Sequence, residues 1–262
     1  MRLRVLAAAA AVACGLSAAA VAADPPSNPN ATLVYYNLAG NQTLDPADPQ
    51  NNSSYAHDSL LALYDALVRL DDGGNPGPGL AESWTRNADL TDITLKLRPN
   101  VVLHDGTKLT AQVVAGTLER NAALGKRAGS AIQETMGLID GIDVIDEMTI
   151  RLRLKSPSGQ IEAWLGGVPG MIMAPATYAD GAVGGTIKPI GAGPYKLRSF
   201  DSNVRTILAR DDAYWGGTAG RPAGLELHYT PDGRARINAL RSGQATLALL
   251  DARQIVEAKG AG

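Results

Sequence analysis

One cysteine, Cys14, and three histidines, His57, His104 and His228, are all that 262 residues offer to sulfur, metal or imidazole chemistry. The cysteine falls inside an N-terminal apolar run. A chain cleaved behind that run has no disulfide and must be held together by its core alone. The histidines stand singly, without the spacing of a helical or hairpin ligand set, which argues against a metal centre. A surplus of one charge is also missing: 24 basic against 26 acidic residues give −2, too near neutral for a nucleic-acid surface or a polybasic membrane patch. Past the N-terminus no run is long and apolar enough to cross a bilayer, and no internal repeat occurs. With 45% hydrophobic and 19% charged residues, the composition is that of a globular protein of one large domain or two modest ones.

The N-terminus is different. Arg2 and Arg4 precede an uncharged run from Val5 to Ala23, and Ala20-Val21-Ala22-Ala23 stands just before the polar "DPPSNPN". This predicts a signal peptide over residues 1–23, cleaved after Ala22 or Ala23, and hence a periplasmic or extracellular protein. Loss of Arg2 and Arg4 leaves 22 basic against 26 acidic residues, a charge of −4. Cys14 follows "AVA", a weak likeness to a lipoprotein box that has Ala11 in place of leucine. Release is therefore expected ahead of lipid anchoring.

The rest alternates between two periods. "TLVYYN" at 32–37 reads as a strand, and Leu60, Leu61, Leu63, Tyr64, Leu67 and Val68 recur at helical spacing behind a cap at Ser53 or Ser54. "DDGGNPGPG" ends that helix. "DITLKLR" and "TIRLRLK" alternate as half-buried strands, with a further strand at 101–104 and a helix behind Thr110. Later strands are expected at 195–200, 204–210, 225–229 and 246–250, and a helix over Gly233 to Leu240. The mixture has no regular βαβ repeat, so the fold class is α/β with a mixed sheet. The chain stops at "DARQIVEAKGAG", directly after an apolar strand, and reads as an incomplete protein.

Candidate chemistry is sparse. In an extended segment His104 and Asp105 point to opposite faces, so they cannot act as base and orienter, and Asp105-Gly106 is a strong turn signal. "IGAGPYKL" at 190–197 lacks the third glycine of a dinucleotide loop and the Lys-Ser/Thr of a nucleotide loop. It reads as a glycine-permitted bend feeding a strand. No G-x-S-x-G occurs. Tyr214 and Trp215 in "AYWGG" offer an aromatic platform for a ligand or, equally, packing. Asp89, Asp92, Asp140, Asp143 and Asp146 leave open a secreted hydrolase built on a carboxylate pair. No catalytic residue, metal or cofactor is assigned.

Six stretches, in order, resemble the family 5 extracellular solute-binding proteins of ABC importers, the peptide and nickel binders. They are "LDPADP" at 44, "YDALVRLDDGGNPGPGLAESW" at 64, "LKLRPNVVLHDGTKLTA" at 95, "IGAGPYKL" at 190, "ARDDAYWGG" at 209 and "PDGRARINALRSGQ" at 231. Leu103 replaces the family's phenylalanine before His-Asp-Gly, Gln112 and Val113 replace a Glu-Asp pair, Ala192 a threonine and Thr246 an acidic residue. Family members run to roughly twice this length as two lobes that close on a ligand.

The resemblance implies the periplasmic-binding-protein type II fold, with the first lobe only and the second lobe missing. Its core would be 24–48 with 175–250, a smaller subdomain would be inserted at 49–174, and 251–262 would begin the second lobe. It implies a monomer without nucleic acid that captures a small solute, an oligopeptide or dipeptide, and delivers it to an ABC permease and ATPase complex. The loop after the first strand, Leu38 to Leu44, would face the cleft, with Asn37, Asn41, Gln42 and Thr43 bonding a peptide backbone and Tyr214 and Trp215 as aromatic candidates. A hydrolase, or a truncated fragment without function of its own, are the competing expectations.

Overall fold

The computed structural model describes residues 28, 30–48, 57–124 and 131–259. The expected signal peptide, Cys14 and the expected helix cap at Ser53 or Ser54 lie outside the described residues.

Strand β1 (Thr32–Asn37) holds the β-branched and aromatic residues that suit a pleated surface packed on both faces. Helix α1 (His57–Leu63) buries Ser59, Leu60, Ala62 and Leu63. Its apolar spacing predicted a helix through Val68, but it ends at Leu63, and Val68–Leu70 is strand β2, antiparallel to β3 (Pro76–Pro78). Tertiary hydrogen bonds override the period here: Leu67 N donates to Gly170 O at 2.9 Å, and Ala81 N to Leu67 O at 2.8 Å. Leu61, counted on the apolar stripe, is 55% exposed.

Strands β4 (Ala81–Arg86), β5 (Asp92–Leu97), β6 (Ile139–Asp146) and β7 (Thr149–Leu154) make an antiparallel sheet in the order β4-β5-β7-β6. The alternation expected of β5 and β7 is present, with Ile93, Leu95, Leu97, Ile150, Leu152 and Leu154 buried. Helices α2 (Ala111–Leu124) and α3 (Ala131–Leu138) pack together and against β6, and the short α4 (Ile161–Leu165) follows β7. The strand expected at 101–104 is reduced to one bridge, Val102 with Lys108. The intervening turn folds back too tightly for a ladder.

The other sheet takes residues from both ends of the described chain. Strands β8 (Tyr195–Asp201), β9 (Arg205–Arg210), β10 (Gly224–Tyr229) and β11 (Leu247–Ala248) join β1 in the order β11-β1-β10-β9-β8. β1 is parallel to both β10 and β11, whereas β8, β9 and β10 are antiparallel. The mixed sheet expected from sequence is therefore present. Helix α5 (Gly233–Arg241) carries the chain from β10 to β11, capped by Asp232, whose carboxylate accepts from Arg234 N and Ala235 N. The last helix, α6 (Ala252–Lys259), follows β11.

One apolar cluster runs through both sheets, from Ile93, Leu95 and Ile150 through Leu60, Leu63, Tyr64 and Leu67 to Leu208 and Leu227. Each such side chain contributes about 1.5–3 kcal/mol on burial. The consequence for function is topological: the parallel trio β11-β1-β10 brings three strand C-termini to one edge of the sheet.

Candidate functional site

Outside the carboxyl ends of parallel strands, connections diverge and leave a crevice in which ligands bind. Here that edge opens into a cleft of about 270 Å³ lined by Leu38, Pro231, Arg236, Leu249, Leu250, Asp251 and Gln254. Arg236 is 3% exposed. It donates from Nε to Leu249 O at 2.7 Å, from Nη1 to Thr230 O at 2.6 Å and from Nη2 to Gln254 Oε1 at 3.1 Å. One buried guanidinium thus ties the end of β10, the end of β11 and the start of α6. Sequence reasoning did not single out Arg236; an arginine four residues past "TPD", facing inward on an amphipathic helix, was the available signal.

The loop after β1 is fixed from within. Asn37 donates Nδ2 to Asp58 Oδ2 at 2.7 Å and accepts Leu38 N at 2.6 Å. Burial raises the Asp58 carboxyl, with Asn37 pulling the other way. Asn41 is buried and its carbonyl accepts Asn203 N at 2.9 Å, while Thr43 Oγ1 donates to Asp48 Oδ2 at 3.1 Å. Gln42 is exposed, with its carbonyl held by Ser202 Oγ at 2.9 Å. Beneath the loop, Asp45 receives Arg120 through Nη1 at 3.0 Å and Nη2 at 2.6 Å, and also Gly184 N and Ala47 N. This bidentate pair, with Arg120 also 5.4 Å over the Tyr178 ring, was invisible to sequence reading because its partners are 75 residues apart. Of the four loop residues expected to meet a ligand, Gln42 is the one whose side chain faces solvent; the other three side chains are buried.

Tyr214 and Trp215 follow the far end of β9, away from this edge, since Arg205 at its start pairs with His228 and Ala209 at its finish with Gly224. They are gathered round Asp65, which accepts Tyr214 Oη and Trp215 Nε1, each at 2.8 Å, and Arg69 Nη2 at 3.1 Å. Arg69 also donates to Tyr214 Oη. Two guanidiniums lie over the Trp215 ring, Arg69 at 4.5 Å and Arg98 at 4.6 Å from its centroid. Burial, and then the Asp65 charge, drive the Tyr214 hydroxyl far above its usual range. The structure does not bring Tyr214 and Trp215 together with Asn37, Asn41, Gln42 and Thr43.

His104 and Asp105 do not face each other. Asp105 Oδ1 accepts Thr107 N at 2.9 Å within the turn, and Gly106 sits at φ +92°. His104 instead contacts the "GAG" bend: its Nδ1 accepts Gly191 N at 3.4 Å and its Nε2 lies 2.9 Å from Gly193 O, so Nε2 carries the proton. Burial lowers its pKa below the usual imidazole value. The glycines are required by close approach: a Cβ on Gly191 would lie 2.3 Å from Leu63 O, and one on Gly193 2.5 Å from Ala62 O.

Four of the five carboxylates considered for hydrolysis have structural partners, Asp92 accepting Asn87 Nδ2 at 3.2 Å. Asp143 binds Arg151 and Arg153, Asp140 pairs with Arg153 at 3.7 Å, and Asp146 accepts Met148 N. Hydrogen bonds from Arg151 hold the Asp143 carboxyl below the usual range, and the turn amide of Met148 does the same for Asp146. Among the described residues no group of three or more His, Cys, Asp or Glu could hold a metal ion, and no helix is long and apolar enough to cross a membrane.

Comparison with known proteins agrees with the geometry. The family model for bacterial extracellular solute-binding proteins, family 5 (middle), matches residues 75–261. A glutathione-binding protein of Pectobacterium atrosepticum is 26% identical over 239 residues, covering 90% of this chain and 45% of that protein. A dipeptide-binding protein of Escherichia coli is 29% identical over 235 residues, covering 81% and 43%. Among solved structures, the periplasmic binding protein DppA from Helicobacter pylori in complex with the peptide STSA aligns at TM-score 0.76 and 26% identity, covering 87% of this chain and 48% of that one. The chain spans about half the length of the relatives it matches.

Proposed function

The chain belongs to the bacterial extracellular solute-binding proteins, family 5, and on that premise we propose that it is the solute-capturing part of an ABC importer. It takes up an oligopeptide or dipeptide and passes it to a membrane permease, without chemistry. One observation carries this reading: a cleft at the C-terminal edge of the β11-β1-β10 trio, lined by Leu38, Pro231, Leu249, Leu250 and Asp251. The relatives named for glutathione and dipeptide binding support a peptide as the ligand class.

In this reading the five-stranded sheet is the core of a lobe and residues 49–174 are a subdomain inserted into it. The protein acts as a monomer, is exported by the N-terminal signal sequence, and has no nucleic-acid partner. Gln42 and the backbone of the loop after β1 line the ligand side. Tyr214 and Trp215 hold the Asp65 network at the other end.

Calorimetric titration of the full-length protein with di- and tripeptides, glutathione and nickel-histidine tests the proposal. Saturable binding of a peptide is expected. Peptides without heat while glycosidase or esterase substrates turn over would replace the binding role with the enzymatic one.

A further inference from the structure

We propose that Asp251 makes this cleft select peptides that carry a cationic side chain on an aliphatic stem. The proposal rests on the peptide-binding reading above and adds a determinant of selectivity to it.

The lining divides into an apolar part and two charges. Leu38, Leu249, Leu250 and Pro231 supply the apolar walls. Arg236 contributes a positive charge, but each of its three nitrogens donates inward, to Leu249 O, Thr230 O and Gln254 Oε1, and the residue is buried. Three of its five N–H groups are committed in this way, and its burial holds the charge back from the exposed rim. Asp251 is exposed and lies on the rim. It opens α6 through a reciprocal pair: Gln254 N donates to Asp251 Oδ1 at 2.9 Å, and Asp251 N donates to Gln254 Oε1 at 3.0 Å. The same Gln254 Oε1 accepts Arg236 Nη2, so the buried guanidinium fixes the capping pair and, through it, the direction of the carboxylate.

Asp251 Oδ1 is committed to the helix, whereas Oδ2 has no partner among the described residues and no ion pair there balances it. A fixed carboxylate at the mouth of an apolar cleft is complementary to a lysine-like side chain, whose methylenes cover leucine while its ammonium reaches the oxygen. A carboxylate-bearing side chain at the same place would meet like charge.

The test compares Ala-Lys with Ala-norleucine, equal in stem and different in charge, by calorimetry on the full-length protein. The variant is Asp251→Asn, which keeps the capping acceptor and so the fold. The wild type should bind Ala-Lys about tenfold more tightly than Ala-norleucine, and Asp251→Asn should reduce that ratio to about one. Equal affinities in the wild type, or a ratio unchanged in Asp251→Asn, would overturn the proposal while leaving peptide binding intact. Failure of both peptides to bind would remove the peptide reading and this proposal together.

Discussion

His104 Nε2 lies 2.9 Å from the carbonyl oxygen of Gly193, joining the hairpin corner at 103–107 to the bend that abuts the end of α1. The imidazole therefore acts as a neutral bracket between two backbones. Replacing it with alanine removes this hydrogen bond and the packing beneath it, and should cost about 1–2 kcal/mol by denaturant melt.

That bracket has a pH signature. Burial lowers the folded-state pKa of His104, so the unfolded chain takes up the proton first. The stability it confers is complete above the unfolded value of about 6.5, declines as pH falls below it, and levels off beneath the folded pKa. Against His104→Gln, the wild-type advantage in melting temperature should be larger at pH 7.5 than at pH 5. An advantage that grew on acidification would mean the ring is held as a cation.

Gly106 has φ +92° at the same corner. Gly106→Val forces a β-branched residue into that region and should lower stability by about 1–3 kcal/mol. His104→Ala should leave the affinity of any bound solute within about twofold, since the ring bonds the 191–193 bend and does not line the cleft. Melts and titrations of the two variants check the contrast.

Asp45 and Arg120 form the most buried ion pair among the described residues, at 1% and 9% side-chain exposure. Arg120→Met takes the guanidinium from the buried Asp45 carboxylate and should destabilise by about 3–5 kcal/mol. Adding Asp45→Asn should restore part of that loss. A double variant no better than Arg120→Met would show that the packing of Arg120 on Tyr178, rather than the charge, is what matters.

Much of the sheet was legible because β5, β7 and β9 bury alternate residues in water-facing or half-covered layers, where the period of two survives in the sequence. β6 was not legible. "IDGIDVID" places aspartate and glycine where strands disfavour them, and the strand persists because Arg151 and Arg153 across the ladder bind Asp143 and Asp140. The apolar run to Val68 misled for the opposite reason: Ala66 bridges Met171 and Leu67 bonds Gly170, pairings that lie about a hundred residues away and leave no local trace. Motif order located the loop after β1, but which side chains face out depended on Asp48, Asp58 and Asn203, and only Gln42 does so.

Within that loop the roles should separate. Asn37→Ala removes a buried bond to Asp58 and should cost about 1–3 kcal/mol of stability. Gln42→Ala should leave the melt unchanged and weaken solute binding severalfold. The reverse ranking would place the ligand against Asn37.

The proposed solute site is the C-terminal edge of the β11-β1-β10 trio. Hydrogen exchange of the full-length protein, with and without a saturating peptide found by calorimetry, tests it most directly. Bound peptide should slow amide exchange at Leu38 to Thr43 and at Leu249 to Gln254, with no change around Tyr214 and Trp215. Protection centred on Asp65, Tyr214 and Trp215, with none at the strand ends, would contradict it.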